Sequence, residues 1–162
     1  MLIIGNGKTI TRDANLPFIE DGAVAIEGTR IKEIGATKDM KEKYKEAEYI
    51  DARGGVIMPA FINTHEHIYS AMARGLSIKG YHPKGFLDIL DGQWWTIDRK
   101  LTPEQIRYSA ADTMISCIRN GVTTIFDHHA SFGHIKDSLF TIAEGAKELG
   151  VRSCLCYEVS DR

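Results

Sequence analysis

Residues 56–67 read VIMPAFINTHEH, and the first seven of them form a continuous apolar run. Such a run is typical of a strand that is buried on both faces, as in a parallel sheet. His65 and His67 follow at the expected end of this strand. Residues two apart in a strand point to the same side, so the two imidazoles are expected to project together. The stretch therefore predicts a buried strand that presents a histidine pair at its carboxyl end.

Downstream of this strand, helical and strand patterns alternate. A helix over 102–120 is predicted from Thr102 as N-cap, Pro103 in the first turn and Gln105 completing a capping box. Its expected apolar stripe consists of Ile106, Ala110, Met114, Cys117 and Ile118. A buried strand over 122–126, a helix over 138–149 and a strand over 151–159 follow. This order predicts an α/β fold with a parallel sheet and right-handed crossovers.

Residues 1–55 have a different rhythm of short strands and turns. The expected elements are a strand at 2–4 with a turn at 5–7, a hairpin over 23–34 that turns at 27–29, a helix over 38–48, and a strand over 49–52. So few strands make a poor sandwich alone, because a sheet face needs a partner layer. The chain is therefore predicted to divide into 1–55 and 56–162.

Composition restricts the functional class. The net charge of −2 argues against a nucleic-acid partner or an anionic membrane surface, since both call for a basic protein surface. No apolar run approaches the roughly 18 residues of a membrane span. The first residues lack the pattern of a signal peptide, and three cysteines suit a reducing compartment. We expect a cytoplasmic protein. Cys154 and Cys156, on one strand face, are predicted to be buried packing residues.

The histidine pair is a candidate metal site, because two converging imidazoles can bind one ion. Carboxyl ends of parallel strands are also where α/β folds carry their chemistry. His128 and His129 follow the second strand and are candidate substrate contacts at the same mouth, although a polar loop start would look similar. A self-contained site made of His65, His67 and one of these two histidines is a further alternative.

The motif GGVIMPAFINTHEH at 54–67 resembles the first barrel strand of the amidohydrolase superfamily. Arg74-Gly75 is similar to the Arg-Gly that marks the branch containing cytosine and guanine deaminases and triazine chlorohydrolases. Within that branch the chain most resembles aminohydrolases linked to selenium metabolism. Residues 121–124, GVTT, match the second barrel strand, and 1–55 match the N-terminal strands. Ala60 and Asn63 depart from the Gly and Asp of many relatives, but neither position holds a metal ligand in the family.

This resemblance implies an incomplete (β/α)8 TIM-type barrel, with its first three βα units in 56–162. Residues 1–55 would then be part of a small β-sandwich. Barrels of this type need about 250 residues. The family's other metal ligands, a fifth-strand histidine and an eighth-strand aspartate, would lie beyond Arg162, as would its proton-moving glutamate and a sixth-strand histidine. No catalytic residue is therefore expected in this chain, and all of them are expected beyond Arg162.

The resemblance also implies a function, namely hydrolysis of non-peptide C–N bonds. One divalent ion, Zn²⁺ or Fe²⁺, would be held by His65 and His67, and the substrate would be an amino-substituted heterocycle that loses ammonia. Asp98 is similar in position to an acidic substrate contact of some relatives, although a solvated loop acid is the more common explanation for such a residue. The expected partners are a small-molecule substrate and either the missing half of the barrel or further copies of the chain. Alternatives are a hydantoinase-like cyclic amidase or a non-catalytic truncated or split-assembly module.

Overall fold

The structure is a computed structural model that describes residues 1–161. It divides into two compact units, Met1–Pro59 and the part of the chain from Ala60 onward. None of the helices in the described residues is long and apolar enough to cross a membrane. Arg162, beyond which the catalytic residues are expected, lies outside the described residues. That expectation therefore stays a prediction.

The first unit is a five-stranded sheet with one short helix. Its elements are β1 (Leu2–Ile10), β2 (Phe18–Glu27), β3 (Arg30–Ala36), α1 (Thr37–Lys43), β4 (Glu48–Asp51) and β5 (Val56–Ile57). The strand order is β3-β2-β1-β4, and β5 also pairs with β1. β1 is antiparallel to β2 and parallel to β4 and β5. Ile3, Ala23, Ala25 and Met40 form the core.

The predicted turn at 5–7 is wrong, because β1 continues through it with an irregular register between Ile4 and Gly7. The glycines serve close packing instead. A Cβ atom on Gly7 would lie 2.8 Å from the side chain of Ile57. The predicted hairpin at 23–34 is present, whereas the helix α1 ends at Lys43, earlier than expected.

The second unit contains three parallel strands in the order β6-β7-β8. These are β6 (Phe61–Glu66), β7 (Val122–His129) and β8 (Arg152–Tyr157). The connection from β6 to β7 contains a 3₁₀ segment (Ile68–Ala73), the short helices α2 (Phe86–Ile89) and α3 (Trp95–Asp98), and the long helix α4 (Pro103–Arg119). The connection from β7 to β8 contains α5 (Ser138–Leu149). The α/β class predicted from the sequence is confirmed.

The predicted single strand at 56–62 is wrong. Residues 56–57 pair with β1 in the first sheet, and Phe61 begins a strand of the second. Pro59 lies between them and cannot donate a ladder hydrogen bond. The predicted burial on both faces is also wrong, since Phe61 is 56% and Ile62 59% exposed.

Helices α4 and α5 supply the core of the second unit. Ile106, Ala110 and Met114 of α4 pack with Ile142 of α5 and Ile125 of β7. Ile118, predicted in the same stripe, is instead 46% exposed. The capping box is present: the Gln105 N–H donates to Thr102 Oγ1 (3.3 Å), and the Thr102 N–H donates to Gln105 Oε1 (3.0 Å).

Candidate metal centre

The side chains of His65 and His67 converge at the carboxyl end of β6. Their Nε2 atoms are 3.0 Å apart, and the two rings meet edge to face. His65 is exposed and His67 is half-buried. The strand geometry thus brings together the two nitrogens that the sequence predicted to act jointly.

The orientation of the His67 ring is set by the neighbouring strand. Its Nδ1 lies 3.0 Å from the backbone carbonyl oxygen of His128. A carbonyl oxygen can only accept, so Nδ1 carries the proton and donates. In a neutral imidazole the other nitrogen, Nε2, then keeps its lone pair. A ring held in this tautomer is suited to metal ligation, as in most histidine metal sites.

The residues present fit a divalent ion in part. Two nitrogens that each lie about 2.0–2.1 Å from a shared ion are at most about 4 Å apart, and the observed 3.0 Å falls within that limit. Among residues 1–161, however, no group of three or more His, Cys, Asp or Glu side chains could hold a metal. The alternative of a self-contained site with His128 or His129 as third ligand is therefore not formed in this part of the chain.

A cleft of about 450 Å³ surrounds the histidine pair. It lies at the carboxyl ends of the three parallel strands and is lined by Thr64, His65, Glu66, His67, Phe126, Asp127, His128, Cys154 and Cys156. His128, a predicted substrate contact, is thus near the pair, with its ring centroid 5.6 Å from that of His67.

Cys154 and Cys156 are exposed in this cleft, so the prediction that they are buried is wrong. Side chains alternate between the two faces of β8, and Leu155 packs against the helical core. The two cysteines consequently occupy the opposite face, where the described residues provide little cover.

His129 lies away from the cleft and is fully buried. Its Nε2–H donates to Ser131 Oγ (2.9 Å), because that hydroxyl itself donates to the carbonyl of His134. Its ring packs edge to face against Tyr69 and Tyr157. Burial, followed by the charge of His128, lowers the pKa of His129 to about 4, so the ring is neutral near pH 7. These contacts are the ones expected of a residue that stabilises the fold.

Asp98 ends α3, does not line the cleft and is fully buried. The alternative of a solvated loop acid is therefore wrong, while its role as a substrate contact stays a prediction. Its backbone carbonyl accepts a hydrogen bond from the N–H of Gly133 (3.2 Å).

Sequence reasoning missed Asp127, which lies in β7 and lines the cleft. The residue is 3% exposed, and its Oδ1 accepts the N–H of Ile68 at 2.7 Å. Burial raises its pKa to about 6. The available signal was an acidic residue inside a strand immediately before two histidines, since a charge in a buried strand calls for a specific partner.

The chain is similar to several known proteins. A family model described as "Amidohydrolase family" matches residues 56–162. The 5'-deoxyadenosine deaminase of Methanocaldococcus jannaschii is 32% identical over 85% of this chain and 30% of its own length. The 5-methylthioadenosine/S-adenosylhomocysteine deaminase of Thermococcus sibiricus is 30% identical over 99% of this chain and 34% of its own.

Solved structures show the same relationship. Atrazine chlorohydrolase from Arthrobacter aurescens, crystallised with zinc, superposes with a TM-score of 0.78 at 25% identity, covering 97% of this chain and 35% of that one. Guanine deaminase of E. coli gives a TM-score of 0.81 at 22% identity, covering 100% and 38%, and this likeness concerns the fold. The chain thus spans about a third of the length of the proteins it matches.

Proposed function

We propose that this chain, which belongs to the amidohydrolase family, is the N-terminal part of a metal-dependent hydrolase of non-peptide C–N bonds. The observation that carries the proposal is the pair of Nε2 atoms 3.0 Å apart in a strand-end cleft. In this proposal His65 and His67 are two of the ligands of one divalent ion, Zn²⁺ or Fe²⁺.

The ion and the chain's own residues have separate tasks. When bound, a divalent ion lowers the pKa of a coordinated water to about 7 and so provides a nucleophile near neutral pH. His65 and His67 hold the ion, and the His128 carbonyl keeps the Nε2 lone pair of His67 available for it. Catalytic zinc sites use about three protein ligands, and no group of three candidate ligands forms among residues 1–161, so we propose that a further ligand lies outside them. The group that moves protons is proposed to lie outside them as well.

The finer architecture is also a proposal. We assign the chain from Ala60 onward to the first three βα units of a (β/α)8 barrel, and the preceding residues, which include β5 at 56–57, to strands of a small sandwich domain. Three adjacent parallel strands support this assignment, because strands that follow one another in the chain are also neighbours in the sheet. The helices that pack on one face of the sheet support it as well. A barrel of this type closes with eight strands, so three strands leave it open.

The proposed substrate is an amino-substituted heterocycle that is deaminated. The named reactions of the two relatives, deamination of 5'-deoxyadenosine and of 5-methylthioadenosine or S-adenosylhomocysteine, support this class over a cyclic amide. Of the three predicted substrate contacts, His128 gains support from its place in the cleft wall; His129 and Asp98 stay predictions. On its own, the chain is proposed to be inactive.

Zinc binding tests the histidine pair directly. We expect calorimetric titration of the chain with ZnCl₂ to give one site per chain, and we expect the His65→Ala/His67→Ala variant to lose it. A His82→Ala/His134→Ala variant is the matched control, because it removes two histidines that do not line the cleft. Equal zinc binding by the wild type and the cleft variant would exclude the assignment.

A further inference from the structure

We propose that Asp127 is a positioning residue for the histidine pair: its carboxylate holds the backbone directly after His67 and thereby keeps the His67 ring on the His128 carbonyl. The consequence for metal binding rests on the function proposed above, whereas the positioning itself does not. Three sets of observations around β6 and β7 support this role.

The first set concerns the strand pairing, which is irregular where the histidines lie. β6 and β7 are paired in parallel, but the register shifts between Asn63 and Glu66. A ladder that is interrupted there does not by itself fix the backbone that carries His65 and His67. Some other contact must fix it if the two Nε2 atoms are to stay 3.0 Å apart.

The second set supplies that contact. Asp127 Oδ1 accepts the backbone N–H of Ile68 at 2.7 Å, and the bond is buried. One residue further along β7, the carbonyl of His128 accepts Nδ1–H of His67 at 3.0 Å. Two consecutive residues of β7 therefore hold two consecutive residues after β6. If the Ile68 amide were released, the His67 ring would lose its fixed approach to the carbonyl.

The third set concerns the loss of stability that a buried carboxylate causes at position 127. Asp127 is 3% exposed, and its Oδ2 has no hydrogen-bond partner among the described residues. A buried polar atom without a partner is destabilising, so an apolar side chain would be the better choice for packing alone. A hydrogen-bond acceptor is required only because the buried Ile68 N–H has to be held.

Loss of this contact should alter the tautomer of His67. The nitrogen that carries the proton is set by the hydrogen bond that the ring makes. In the wild type this is Nδ1, which donates to His128. Without the bond the ring is free to carry its proton on Nε2, and a protonated Nε2 cannot bind a metal.

Four proteins test the proposal: the wild type, Asp127→Asn, Asp127→Leu and Thr102→Ala. Asn keeps an acceptor for Ile68, while Leu has the same branching at Cγ but no acceptor. Thr102→Ala removes a helix cap outside the cleft and so controls for lowered stability. Long-range ¹H–¹⁵N correlation spectra of ¹⁵N-histidine samples, recorded without metal near pH 8, report each tautomer.

We expect His67 to be protonated on Nδ1 in the wild type, in Asp127→Asn and in Thr102→Ala. In Asp127→Leu we expect the Nε2–H form, faster exchange of the Ile68 amide, and zinc affinity lower by about 10-fold or more. An Nδ1–H tautomer retained in folded Asp127→Leu, or an Nε2–H tautomer in the wild type, would overturn the proposal.

Two further outcomes are also decisive. If Asp127→Leu does not fold, the smaller Asp127→Ala decides, because it also lacks an acceptor: the Nε2–H form in the folded variant supports the proposal, and retention of the Nδ1–H form refutes it. If the wild type binds no zinc, the proposed function fails, but the tautomers and the Ile68 amide still test the positioning role.

Discussion

The ring of His67 and the backbone carbonyl of His128 are joined by a 3.0 Å hydrogen bond between residues 61 positions apart in the sequence. The bond exists only when β6 and β7 lie side by side. Formation of the candidate metal site is therefore coupled to folding of the second unit, because the unfolded chain has no preformed pair.

This coupling predicts that zinc stabilises the wild type against unfolding. A ligand that binds only the folded state adds about 1.4 kcal/mol at a tenfold excess over its Kd. Thermal unfolding with and without ZnCl₂ measures the effect. The His65→Ala/His67→Ala variant should show no zinc-dependent rise in Tm, and a rise equal to that of the wild type would place the zinc elsewhere.

The isolated chain should release no ammonia from amino-substituted heterocycles. Only two candidate ligands converge within residues 1–161, fewer than the roughly three of catalytic zinc sites. An ammonia-release assay over adenosine derivatives, guanine and aminotriazines, with added Zn²⁺ or Fe²⁺, is the check. Turnover that a chelator abolishes would show that the chain contains a complete site, and that the catalytic residues need not lie beyond Arg162.

Features encoded within a few residues could be predicted from the sequence. Thr102 and Gln105 are three positions apart, and their reciprocal cap was predictable because the motif is local. The convergence of His65 and His67 was predictable for the same reason. Asp127 was missed because its partner, the Ile68 N–H, is 59 positions away.

Burial was harder to predict, because it depends on which strands become neighbours. The apolar run at 56–62 was expected to lie in one sheet, yet its two ends pair with β1 and with β7. The side chains of Cys154 and Cys156 could have faced either the helices or the open face of the sheet. Periodicity shows that they share a face but does not identify the face.

Met114→Ala should destabilise the second unit by about 2–5 kcal/mol, since the side chain is fully buried between α4 and its neighbours. Ile118→Ala, four residues along the same helix, is the control, because Ile118 is 46% exposed. Chemical denaturation of both variants tests this. Similar losses for the two would mean that α4 packs through a different face.

The burial of His129 predicts a pH-dependent contribution to stability. Its pKa is about 4 in the folded chain and about 6.5 when unfolded, so the unfolded state takes up the proton first as the pH falls. The stabilisation is present above pH 6.5 and is lost as the pH falls toward 4, with an upper limit of about 3 kcal/mol.

Urea unfolding of the wild type and of His129→Gln between pH 4 and pH 7 measures this contribution. The stability advantage of the wild type should shrink as the pH falls. Burial raises the pKa of Asp127 to about 6, so this carboxyl makes the free energy of unfolding rise as the pH falls over part of the range. Both proteins contain Asp127, so its contribution cancels in the difference between them. His82→Gln, at an exposed position, should leave the pH dependence unchanged. A constant difference between wild type and His129→Gln would contradict the prediction.

Finally, the chain should self-associate through β8 and the open face of its sheet. β8 pairs only with β7 within the described residues, so its other edge offers free N–H and C=O groups for pairing with another chain. The neighbouring face exposes 43% of Phe126, together with Cys154 and Cys156.

Light scattering over a concentration series in a reducing buffer tests this association. Cys154→Lys should weaken it, because a charge on an edge strand disfavours pairing. Val159→Lys adds the same charge beyond the strand, at a residue that is 99% exposed, and should have little effect. Reducing conditions exclude disulfide-linked dimers. A wild-type chain that remains monomeric at high concentration and binds no apolar dye would show that this surface is covered by some other means.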